Sequence, residues 1–164
     1  MFTAYTNIPN NARIWIYQSD RVLSETEITF ISSKTETFIN QWTRHGDNLK
    51  GSFTIKYNHF LILAVDENFN NVSGCSIDSS VRFMKQLEQE IAIDFTNKLN
   101  ISFKDGNQIN IVKLVDFQKF AQEKKITAKT IVFNNLVQTK QDLETNWEVS
   151  ADKSWHQRFL AKNN

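Results

Sequence analysis

"LKGSFTIKYNHFLILAV", residues 49–65, decides how the chain is built. Its first half alternates, with Leu49, Gly51, Phe53, Ile55 and Tyr57 on one side and Lys50, Ser52, Thr54 and Lys56 on the other. A period of two marks a strand with one face on a core and one toward water. Asn58 supplies a turn residue, and "FLILAV" then runs apolar without a break over residues 60–65. Such a run suits a central strand covered on both faces, so the segment reads as a hairpin.

Upstream, "ARIWIYQ" (12–18) is a β-branched and aromatic run that predicts a strand. Between it and the hairpin, "SETEITFISSKTETFINQWTRHG" (24–46) predicts a long helix. Ser24 and Glu27 form a capping-box pattern, and Ile28, Ile31, Thr35, Phe38 and Trp42 step by three and four along one face. Arg44 and His45 are assigned to its last turn and Gly46 to a left-handed cap.

Downstream, the loop "DENFNNVSG" leads to a second helix on which Ile77, Val81, Met84, Leu87, Ile91 and Phe95 keep the same rhythm. "ISFKDGNQINIVKL" reads as one strand or as a hairpin about Asp105 and Gly106. Asp116 is a candidate cap for a short helix carrying Phe117, Phe120 and Ala121. "TIVFNNLV" fits a strand or a buried helix, and "DKSWHQRFL" fits a terminal helical turn or two. The order β-α-β-β-α-β implies an α+β fold: a mainly antiparallel or mixed sheet, two long amphipathic helices on one face in a split βαβ arrangement, and a C-terminal extension.

With 164 residues, 40% hydrophobic, the chain is long enough for one domain with a real core, and no linker divides residues 1–164. One cysteine excludes an intrachain disulfide and fits a reducing compartment. The opening residues lack a signal-peptide pattern, and no stretch approaches the roughly 18 apolar residues of a membrane span. A cytoplasmic location follows as the expectation. Net charge is +1, which argues against a general nucleic-acid binder, but residues 98–140 are locally basic. There Lys98, Lys104, Lys113, Lys119, Lys124, Lys125, Lys129 and Lys140 face only Asp105, Asp116 and Glu123. A solvated face is the plain reading of this run, and an anionic partner the functional one.

Several chemistries are excluded by spacing. The glycines at 46, 51, 74 and 106 can write neither a dinucleotide fingerprint nor a phosphate loop. His45, His59 and His156 lie apart, with no zinc spacing and no partner cysteine. Asp66, Asn68 and Asn70 match the first ligands of a calcium loop, but Asn71 and Ile77 stand where it needs glycine and a bidentate carboxylate. No metal or cofactor is therefore expected. Trp15 and Tyr17 could stack on RNA bases, yet the aliphatic third strand is a poor platform, and core packing is the better reading of both.

The remaining feature is "SGCSIDSSVRF" (73–83). Together with "HG" and "VDE" upstream and "VFNNLV", "W" and "RF" downstream, it resembles a family of small uncharacterised bacterial proteins. Some members of that family carry the label "ABC transporter ATPase", which the absence of a Walker loop does not support here. The resemblance spans most of the chain, implies no established activity, and points to residues 73–83 as central.

Physically, this stretch is a glycine turn feeding a helix start, where free amides and the dipole attract negative charge and ease ionisation of a thiol. Asp78, read as lying in the first turn of that helix or capping it, competes for the amides and repels a thiolate. Cys75 is therefore expected to be a small, buried, inert residue. Two alternatives stay open. One is a cysteine-dependent enzyme using Cys75 with Asp78 and a histidine, His45 or His59. The other is a nucleic-acid or ribosome-associated module using the basic 98–140 region. The favoured reading is a non-enzymatic domain that binds a protein partner or small ligand at residues 73–82, through Ser73, Gly74, Ser76, Ser79 and Arg82.

Overall fold

The computed structural model describes residues 1–162. The chain is α+β, with antiparallel sheets. Its contacts gather into two compact units, residues 1–96 with 138–141, and residues 97–137 with the described residues from 142 onward.

The first unit contains β1 (Arg13–Gln18), α1 (Glu25–Gln41), β2 (Thr43–Arg44), β3 (Asp47–Asn48), β4 (Gly51–Lys56), β5 (Phe60–Val65) and α2 (Gly74–Ile91). The sheet order is β1-β5-β4, and β5 is antiparallel to both neighbours. β1 and β4 therefore run parallel with β5 between them, the split βαβ arrangement. Every residue of β5 is buried, as its unbroken apolar run requires. On one face Leu61 and Leu63 join Ile31 of α1 and Met84 and Leu87 of α2 in a core, against which Trp15 and Tyr17 pack. On the other face Phe60, Ile62 and Ala64 are equally buried, and so is Ser52 opposite Ala64. The face of β4 expected to be wet is thus closed at Ser52.

The expected fourth strand does not join this sheet. Beside β1, residues 138–141 take part of that place: Ile14 N–H donates to Gln138 O at 2.9 Å and Lys140 N–H to Ala12 O at 3.0 Å.

Both helices depart from the sequence reading in informative ways. α1 carries the expected Ser24–Glu27 capping box but stops at Gln41 rather than running to Gly46. Trp42 turns extended, is buried, and donates its indole Nε1–H to Ser76 O at 2.8 Å. His45 and Gly46, with φ of 51° and 90°, then form the tight turn between β2 and β3, which requires positive φ at both positions. On α2 the buried face is Ser76, Ser80, Met84 and Leu87, so the first two turns are rotated from the expected Ile77–Val81 stripe. The serines tolerate burial because each is satisfied: Ser76 Oγ donates to Thr43 O at 2.9 Å and Ser80 Oγ to Ile77 O at 2.6 Å.

The second unit contains β6 (Asn100–Asp105), β7 (Gln108–Lys113), α3 (Leu114–Gln122), β8 (Ile131–Phe133) and β9 (Glu148–Ser150), with α4 (Lys140–Asn146) entering it from residue 142. The sheet order is β7-β6-β8-β9. Of the two readings of "ISFKDGNQINIVKL", one strand or a hairpin, the chain adopts the hairpin, with Gly106 at φ 61° in its turn. "TIVFNNLV" resolves as the strand β8. α3 starts at Leu114 with Lys113 as its cap position, so Asp116 lies in the first turn instead of capping it. Ile101, Phe117, Ala121, Ile126 and Val132 form the core.

Into that core projects His156, from a 3-10 turn, Trp155–Phe159. It is fully buried, stacks on Trp155 at 3.8 Å between ring centroids, and lies 5.5 Å from the Phe117 ring. Its Nδ1 is 2.7 Å from Ser154 Oγ, and Nε2 has no hydrogen-bond partner among the described residues. Burial first, and the Arg158 cation second, lower its pKa from 6.5 to about 4. The unfolded chain therefore takes up this proton near pH 6.5 and the folded one only near pH 4. Stability is full above pH 6.5 and falls as the pH drops toward 4, by about 3 kcal/mol in all. Glu27, held near 2 mainly by its hydrogen bond from Arg21, adds a loss of its own only as the pH falls from 4.5 toward 2. Urea unfolding from pH 7 to 4 should show this slope in the native chain and lose it in His156→Leu. An unchanged slope in the variant would contradict the assignment.

Candidate functional site

The start of α2 is built by its serines. Ser73 is the N-cap: its Oγ accepts from Ser76 N–H at 3.2 Å, while Ser73 N–H donates to Ser76 Oγ at 3.3 Å. Serine at the third helical position performs the return half of a capping box, usually the work of glutamate. Ser76 also bonds Thr43 O and accepts the Trp42 indole on its own carbonyl, which joins the helix start to the β2–β3 hairpin. Ser79 Oγ donates to Cys75 O at 2.9 Å and accepts from Arg82 Nη2 at 3.0 Å. The serines expected to form a polar binding loop are thus committed to the helix itself.

Two expectations are corrected here. Asp78 is exposed in the second turn and caps nothing, because Ser73 already holds that place. Cys75 is exposed, not buried, because the second helical position at this start faces outward while the third, Ser76, is the one turned inward. His45 sits exposed at the hairpin turn, and no side-chain hydrogen bond or ion pair among the described residues links Cys75, Asp78 and His45. His59 lies in the turn before Phe60, its Nδ1 2.7 Å from Tyr57 O, whereas α2 follows the other end of β5, a strand roughly 17 Å long.

The lysines of 98–140 do not share one face. Lys140 is buried, and its ammonium donates to Tyr5 O at 3.1 Å and Ile8 O at 2.6 Å, so it contributes no surface charge. Lys113 pairs with Asn100 at the end of the β6–β7 hairpin opposite Gly106, and Lys98 precedes that same end. Lys104, Lys125 and Lys129 do converge, on a cleft of about 430 Å³ in the second unit. The hairpin turn, Asp105 and Gly106, forms one wall, and residues 129–131 leading into β8 form another. Phe103, Phe120, Ile126 and Ile131 supply apolar surface. The cleft exists because β6 and β8 pair at a single position, Phe103 with Val132, and part beyond it toward the turn.

Charges in and around the cleft are partly neutralised. Lys104 contacts Glu148 of β9, and Lys125 Nζ lies 3.0 Å from Glu123 Oε2. Lys129 has no carboxylate partner among the described residues. The basic run signalled the lysines in the sequence. Nothing local signalled Phe103, Ile131 or Glu148, which reach the site through sheet pairing. Among the described residues no group of histidine, cysteine, aspartate or glutamate could hold a metal ion, and no helix is long and apolar enough to cross a membrane. Protein-family models, curated proteins and solved structures yield no match for this chain.

The assignment of the cap is open to direct measurement. Ser73→Ala should lower stability by about 1 kcal/mol in urea unfolding. Asp78→Ala should change it by less than about 0.5 kcal/mol, as for an exposed residue outside any cap. The reverse order would restore Asp78 as the capping residue.

Proposed function

We propose that this is a small cytoplasmic, non-enzymatic protein that binds an anionic small molecule in the cleft of its second unit. The observation that carries the reading is the convergence of Lys104, Lys125 and Lys129 on one concavity beside apolar side chains. Its volume of about 430 Å³ is that of a small-ligand site, with charged groups to orient the ligand and apolar ones to hold it. A nucleic-acid track draws less support. It needs cations along an extended path, and here Lys98 and Lys113 sit at the far end of the hairpin while Lys140 is buried. Binding at residues 73–82 also draws less, since Ser73, Ser76 and Ser79 are engaged within their own helix.

The test uses tripolyphosphate as a probe, followed through backbone amide chemical shifts. Shifts should gather at Gly106, Lys129, Thr130 and Ile131, and the affinity should weaken as salt screens the lysines. No shift at any residue, or shifts gathered at residues 74–82, would overturn the reading.

A further inference from the structure

The pairing of the cleft lysines bears on which anions can bind, if the cleft is the binding site proposed above. We infer that the site selects a phosphate monoester dianion carried on an apolar or aromatic group, and that Glu148 is the internal competitor that sets this selectivity.

The argument starts from the resting charges. The Lys104 side chain is only 20% exposed, so its ammonium is poorly hydrated and takes Glu148 of β9 as counter-ion, itself 30% exposed. Lys125 takes Glu123 in the same way, though at a more open place. Among the described residues that line the cleft, an entering anion therefore meets one cation without a carboxylate partner, Lys129, and two that already hold a carboxylate. A singly charged ligand that displaced either carboxylate would exchange one monoanion for another, at the cost of leaving that carboxylate without its cation. A dianion differs. One terminal group with two charges and three acceptor oxygens can engage Lys129 and Lys104 together, and so compensates for the lost pairing. Asp105, which also lines the cleft, repels a dianion more than a monoanion, so the discrimination rests on the lysines outweighing it. The ester's organic part then lies against Phe103 and Phe120, which line the same cavity.

Phenyl phosphate, methyl phenyl phosphate and benzoate separate these requirements: all three carry the ring, and only the first carries a dianion. Titrations followed by amide shifts at Gly106 and Thr130 should rank phenyl phosphate tightest. Glu148→Gln should tighten its binding roughly threefold to fivefold, the scale of an exposed ion pair removed. Lys129→Ala should weaken it roughly tenfold. Glu123→Gln, at the more open pair, should tighten it in the same direction as Glu148→Gln and serves if the latter fails to fold. Equal binding of the three ligands overturns the inference yet leaves anion binding intact, as does the absence of tightening in the glutamate variant that folds. Failure of all three ligands and of tripolyphosphate overturns both.

Discussion

The burial of β5 on both faces is the constraint from which the first unit follows. A strand with no water on either side must hydrogen-bond along both edges, since each unmet amide or carbonyl would cost on the order of 1–3 kcal/mol. β1 and β4 meet that need in antiparallel register along the whole strand. The two neighbours then run parallel to each other, so the chain must cross between them, and α1 is that crossing. α2 completes the layer by returning its apolar face to the side of the sheet that α1 covers. Gly51, where β4 begins, is part of the same closure. A Cβ there would stand 3.1 Å from Ala64 O and from Ile39 Cγ2, so the close approach of strand and helix leaves no room for a side chain.

The start of α2 gains its character from the same packing. Trp42, buried where α1 ends, places its indole N–H on Ser76, and Ser76 answers by bonding Thr43. Polar atoms that a sequence reader assigns to a ligand are in this way used up in joining one helix to the hairpin after another. Cys75 and Asp78 are left facing outward.

What the sequence made legible was whatever rests on local periodicity. The hairpin of residues 49–65, the central strand, the Ser24 cap and the turn at Gly106 each depend on neighbours within a few positions, and each is found where expected. Two helix readings drifted for a physical reason. Arg44, His45 and Gly46 satisfy the rules for a helix end and for a two-residue turn equally well, and the burial of Trp42 decides between them. On α2, serine is polar in any hydropathy scale, so a buried Ser76–Ser80 face supported by hydrogen bonds cannot be seen in a pattern of apolar residues. The cleft was half visible: its lysines lie in one basic run, whereas Glu148 reaches them only through the order β6-β8-β9. The fourth strand was misplaced because adjacency in sequence favoured the first sheet, while residues 138–141, distant in sequence, bond β1 instead.

Amide hydrogen exchange under native conditions tests the central role of β5 most directly. If both of its edges and both of its faces are closed, Leu61, Ile62 and Leu63 should exchange only through global unfolding of their unit, and their exchange should accelerate more steeply with added denaturant than that of the edge strands. Their protection should therefore match the unfolding free energy measured by urea. Exchange of these three amides through a local opening, with protection well below that of α2, would contradict the account and remove β5 from the centre of the fold.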